Sequence, residues 1–94
     1  YPAEIERVLT SDPRVRLAAV IGVEDHDWGE RPVAYVVPRQ GADVDGLAEE
    51  LRLLCRVQLA GYKQPREVHL RNDLPITAAG KILRRALREP TQVH

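Results

Sequence analysis

The stretch Val15 to Val23 constrains the fold most, because it reads Val-Arg-Leu-Ala-Ala-Val-Ile-Gly-Val with a single polar interruption. A run this apolar and this short suits a strand buried on both faces better than one with a wet side. Its unbroken part, Leu17 to Val23, falls far short of a bilayer span, so no membrane-crossing segment is expected. At 94 residues the chain can close one modest core, which bounds it to a single domain.

The rest of the pattern supplies what covers such a strand. Pro2 to Thr10 reads as a helix: proline in the first turn, Glu4 and Glu6 at the positive end of the dipole, and Ile5, Val8 and Leu9 on one face. Ser11-Asp12-Pro13 ends it. Glu24 to Glu30 is an acidic turn, Val33 to Val37 a second strand and Pro38 to Asp43 a loop. Asp45 is placed to cap a second helix with Leu47, Leu51, Leu54 and Cys55 at helical spacing, and Gly61 to terminate it. Glu67 to Leu70 alternates like a strand. Ile82 to Leu87 reads as a last helix, with Ile82, Leu83, Ala86 and Leu87 inward and Pro90 as its stop. The expected class is α+β: a small mixed or antiparallel sheet flanked by these three helices.

Net charge is zero but unevenly spread. Residues 1–60 carry 7 Arg against 11 Asp or Glu, a net of −4, and residues 61–94 carry the compensating +4. That is thin for a dedicated nucleic-acid binder and better matched to a small phosphorylated ligand. The lone cysteine, Cys55, excludes an internal disulfide, lies on the apolar stripe of its helix, and fits a reducing, cytoplasmic location. His26, His69 and His94 have no ligand-like spacing, so no metal site is expected.

Lysine usage marks the chemistry. Of 14 basic residues only Lys63 and Lys81 are lysines. Where a compact ammonium must reach one oxygen, the planar arginine fork is no substitute. Gly80-Lys81 fails as a phosphate-binding Walker loop, because that loop needs glycine where Pro75 stands and Ser or Thr where Ile82 stands. Taken alone, Gly80-Lys81-Ile82-Leu83-Arg84-Arg85 could be a solvated basic helix end. Arg88 in particular reads as a solvated helix face.

The stretch Pro75-x-Thr77-x-x-Gly80-Lys81-Ile82-Leu83-Arg84-Arg85 closely resembles the last signature of the adenylate-forming enzymes. Pro2-Ala3-Glu4-Ile5-Glu6 resembles the tail of the motif that opens their small C-terminal domain. Ala18 to Val23 followed by Trp28-Gly29-Glu30 is similar to that domain's central strand and Gly-Glu turn, and Tyr62-Lys63-Gln64-Pro65 to its aromatic-Lys-x-Pro motif. Four motifs in order, spanning nearly the whole chain, are far more specific than any one. Ala79 departs from the pattern, since many relatives carry Ser or Thr there.

By this resemblance, residues 1–94 would be the mobile C-terminal domain of an AMP-forming acyl- or aryl-CoA synthetase, and the absence of methionine also suggests a piece of a longer enzyme. The parent would use ATP, CoA, Mg2+ and a carboxylic acid, binding most of them through a large N-terminal domain that is this domain's working partner. Lys81 would be the catalytic lysine, presented after Gly80, orienting the attacking carboxylate and stabilising charge on the α-phosphate. The turn and the aromatic-Lys-x-Pro motif resemble the chlorobenzoate-CoA ligase branch. By that likeness Trp28, Tyr62, Lys63 and Arg66 would line the CoA nucleotide, with Gln64 standing where the branch can carry arginine. Two rivals remain: an adenylation domain loading a carrier protein, and a non-catalytic binding module descended from the same domain. Gly-Lys-Ile-Leu-Arg-Arg favours the CoA branch over the first.

Overall fold

Strands β1 (Val15–Asp25) and β2 (Gly29–Pro38) form an antiparallel hairpin, and β3 (Glu67–Leu70) joins β2 in parallel, giving a mixed sheet of order β1-β2-β3. The structure, a computed structural model, describes residues 2–27 and 29–88, excepting the side chain of Tyr62. Helix α1 (Pro2–Thr10) precedes the hairpin, α2 (Leu47–Gln58) makes the crossover from β2 to β3, and α3 (Arg84–Arg88) closes the described chain.

The apolar run is buried on both faces. Ala18 and Val20 join Ala34 and Val36 under α1 and α2, which contribute Ile5, Leu9, Leu47, Leu51 and Cys55. Ala19 and Ile21 turn the other way, with Val33 and Val37, toward Leu74 and Leu87. Val15 lies with the even-numbered residues because the ladder slips between Val15 and Leu17, and one extra residue exchanges the two faces.

The hairpin is longer than its apolar pattern. Pairing continues from Val23 through Glu24↔Glu30 to Asp25↔Gly29, because backbone hydrogen bonds need no apolar side chains. Asp45 does not cap α2: Gly46 occupies the N-cap in the left-handed region, and the Asp43 carboxylate accepts from the Asp45 amide in a local turn. Nor does Gly61 end that helix. It stops at Gln58, where Leu59 turns extended and packs on the core, and Gly61 instead opens a short 3-10 turn, Gly61–Lys63.

The last helix begins two residues later than its periodicity predicts. Ile82 pairs with Ile76 as a β-bridge, and the Leu83 amide donates to the Pro75 carbonyl. Strand-like pairing therefore claims Ile82 and Leu83 before the helix starts. Leu87 is buried as expected, whereas Ala86 is exposed. Arg88 is not a merely solvated cation, since its Nε donates to the Gly22 carbonyl at 3.3 Å on the edge of β1. Pro90 lies outside the described residues.

Candidate functional site

Lys81 sits on a tight hairpin rather than at a helix mouth. The Thr77 amide donates to the Lys81 carbonyl at 2.8 Å, and the Gly80 amide donates to the Thr77 carbonyl at 2.9 Å. These bonds close a three-residue loop, Ala78-Ala79-Gly80, whose last residue must turn left-handed. Gly80 does so, with φ +84°. The Thr77 hydroxyl accepts from the Lys81 amide at 3.2 Å, so Thr77 ties the loop from the far side and Ala79 is left out of the bonding. Leu74 and Ile82 root the hairpin in the core. The side chain of Lys81 is exposed, and its ammonium makes no hydrogen bond or ion pair among the described residues.

Lys63 has a different setting. Its ammonium lies 3.1 Å from the Glu4 carboxylate of α1 and is about one-quarter exposed. That places Lys63 beside the helices of one sheet face, while the Lys81 hairpin packs on the other. The connection 61–66 enters β3 at Glu67, which pairs with Val33, so it reaches the sheet toward the turn end of the β1–β2 hairpin. Arg31 links the two there, bonding Glu67 and lying 3.4 Å from Asp25. Hydrogen bonds from His69 and then Arg31 hold the Glu67 carboxyl below the usual carboxylate range.

Arg66 is exposed and lines a groove of about 380 Å³ with Arg52, Arg56, Gly61, Gln64 and Pro65. Arg52 is held by Glu49 on its own helix at 2.6 Å, whereas Arg56 has no ion pair among the described residues. Arg52 and Arg56 were missed by sequence reasoning, although their i, i+4 spacing on α2 was the available signal. At the turn of the β1–β2 hairpin a cavity of about 390 Å³ is bounded by Glu24, Asp25, His26 and Gly29. Trp28 and His94 lie outside the described residues, as does the side chain of Tyr62; of the residues expected at the CoA nucleotide, Arg66 lines the groove, whereas the Lys63 ammonium lies on Glu4. Among the described residues no three His, Cys, Asp or Glu side chains converge as a metal site, and no helix is long and apolar enough to cross a membrane. Cys55 is fully buried, and that burial pushes its thiol up to about 11.

The model of the AMP-binding enzyme C-terminal domain matches residues 4–81. The 2-succinylbenzoate–CoA ligase of Geobacillus kaustophilus (strain HTA426) is 48% identical over 88 residues, covering 94% of this chain and 18% of that protein. Feruloyl-CoA synthase from an Amycolatopsis species is also 48% identical over 88 residues, with the same coverage. Among solved structures, the amide bond synthetase McbA from Marinactinospora thermotolerans superposes with a TM-score of 0.83 at 44% identity, over 94% of this chain and 17% of that one. The chain thus spans less than a fifth of the length of these proteins.

Proposed function

From the premise that the chain belongs to the family of AMP-binding enzyme C-terminal domains, whose model covers residues 4–81, we propose that it is the mobile, lysine-bearing domain of an AMP-forming acyl- or aryl-CoA synthetase. The parent enzyme would join a carboxylic acid to the α-phosphate of ATP, releasing pyrophosphate, and then transfer the acyl group to the CoA thiol, releasing AMP. A cytoplasmic enzyme accords with a lone, buried, unpaired cysteine.

The observation that carries this reading is the contrast between the two lysines. Lys63 is paired with a carboxylate, whereas the ammonium of Lys81, raised on a closed hairpin, has no partner among the described residues. An ammonium so placed can enter a second domain's cleft and lie between two anions, the substrate carboxylate and the α-phosphate. There it orients the nucleophile and offsets the charge that grows on the phosphoryl oxygens. Little in the hairpin must reorganise for this, because Thr77 and Gly80 already fix the backbone on either side of the loop.

The second half-reaction uses another surface. Arg66 and the groove formed with Arg52 and Arg56 offer guanidinium donors suited to the phosphates of the CoA nucleotide, and Lys63 would add its ammonium on release from Glu4. By the resemblance, Trp28 and Tyr62 would supply stacking surfaces for the nucleotide's base. The Lys81 hairpin packs on one sheet face and α2, with the groove beside it, on the other, so a rotation of the domain would present one surface and withdraw the other. Mg2+ would be held mainly by the large domain.

The test is Lys81→Ala in the enzyme that carries this domain, with the half-reactions measured separately. Acid-dependent pyrophosphate release should fall by about a hundredfold or more, the effect of removing one preorganised charge. Thioester formation from supplied acyl-adenylate should stay within a few fold of the parent. Equal loss in both half-reactions refutes the assignment. The acceptor is read in the second half-reaction by offering CoA, a carrier protein or an amine to the adenylate, and CoA should be preferred. The names of the two CoA-forming relatives favour it over the amine of the amide synthetase.

A further inference from the structure

Helix α3 follows the Lys81 hairpin directly, and its described residues are Arg84–Arg88. A described stretch of this length has little stability of its own, so tertiary contacts hold it in place. Leu87 provides one anchor in the second core cluster. The other is charged and comes from the far side of the sheet.

Glu6 of α1 is about one-fifth exposed, and both its oxygens are engaged. Oε2 accepts from the Val20 amide at 2.9 Å, and Nη2 of Arg84 reaches Oε1 at 2.8 Å and Oε2 at 2.6 Å. Strand β1 is an edge strand, so the Val20 amide points away from the ladder and needs a partner. Gly22, two residues on, turns its carbonyl to the same edge, where it receives Arg88. Arg84 and Arg88 lie four apart and thus share one face of α3. The carboxylate of Glu6 therefore does two things at once: it satisfies the open edge of β1, and it draws in the helix that begins three residues after Lys81.

We infer that Glu6 and Arg84 form a clasp across the β1 edge that positions the Lys81 hairpin for adenylation, making both of them positioning residues. This rests on the assignment of Lys81 proposed above. With Arg84 held, residues 75–84 are fixed at both ends, by Leu74 in the core and by the clasp outside it. With the clasp open, α3 keeps Leu87 and the Arg88–Gly22 bond but loses its ion pair, and Lys81 samples positions in which it misses the reacting oxygens.

The test uses Glu6→Gln, Arg84→Gln, their combination and Arg84→Lys in the enzyme that carries the domain, alongside Lys81→Ala. Glutamine at position 6 keeps an oxygen for the Val20 amide but removes the charge, which separates the clasp from the strand edge. Each single glutamine variant should slow acid-dependent pyrophosphate release by about tenfold to a hundredfold, the range expected for a misplaced catalytic group. Thioester formation from supplied adenylate should be unchanged, and the thermal transition should stay close to that of the parent. The double variant should be no slower than either single one, as a shared interaction requires. Arg84→Lys should recover most of the rate. Equal loss in both half-reactions, additive loss in the double variant, or full adenylation activity in Glu6→Gln overturns the clasp. If Lys81→Ala abolishes adenylation while Glu6→Gln does not affect it, the clasp alone falls. If Lys81→Ala leaves adenylation intact, both readings fall.

Discussion

Replacing Gly80 by alanine isolates the backbone's share in presenting Lys81. Gly80 has φ +84°, and a methyl group built on its Cα would meet nothing within 4 Å. The substitution therefore adds no steric contact, and its whole effect is conformational. An L-residue in the left-handed region costs roughly 1–2 kcal/mol. Alanine also restricts the unfolded chain, which returns about 0.4–1 kcal/mol. The net expectation is a loss of about 1 kcal/mol in unfolding free energy, which lowers the melting temperature of a domain this size by about 4–8 °C. Gly80→Asn should lose about half as much, because asparagine tolerates the left-handed region better than alanine. Urea unfolding of the 94-residue chain with an unchanged m-value measures both. A loss in Gly80→Ala of about 3 kcal/mol or more would mean a clash that the open surroundings exclude. Asparagine worse than alanine, or both equal to the parent, would refute the left-handed requirement itself.

Arg66→Ala should raise the KM for CoA by about tenfold, the value of one lost charge-assisted hydrogen bond, with pyrophosphate release in the first half-reaction nearly unchanged; a matching fall in pyrophosphate release would remove Arg66 from the CoA surface. Cys55 predicts an alkaline dependence. Burial raises its thiol from 9.0 to about 11, so the fold favours the neutral form; that contribution is fully present below pH 9 and is lost as pH climbs toward 11. Thermal unfolding of the parent should therefore weaken more steeply across that window than unfolding of Cys55→Ala, and parallel curves would show that the thiol does not titrate with folding.

The sequence alone determined the layered core and the likeness of the four motifs. The Val15–Val23 run suited a strand covered on both faces, because alternation was missing and the length was that of a strand. Helix α1, strand β3 and the buried stripe Leu47, Leu51 and Cys55 were legible for the same reason: periodicity reports which face is buried, and burial dominates the energetics. Local signals failed where backbone groups had competing partners. Asp45 lost the cap to Gly46, Gly61 ended no helix, and Ile82 went to a strand bridge. Tertiary structure decided what the charged residues do. Glu4 and Glu6 read as ordinary dipole complements of a first helical turn, yet Glu4 holds Lys63 from 59 positions away and Glu6 holds Arg84 from 78. Arg88 read as solvated and bonds Gly22 across 66 residues. Charge pairing is set by distance in space, and no periodicity within one helix encodes which distant cation the fold will bring to its face. For that reason the likeness to a lysine-bearing signature was readable in the residues themselves. Which lysine is held by a carboxylate, and which has no partner among the described residues, became visible only in the folded chain.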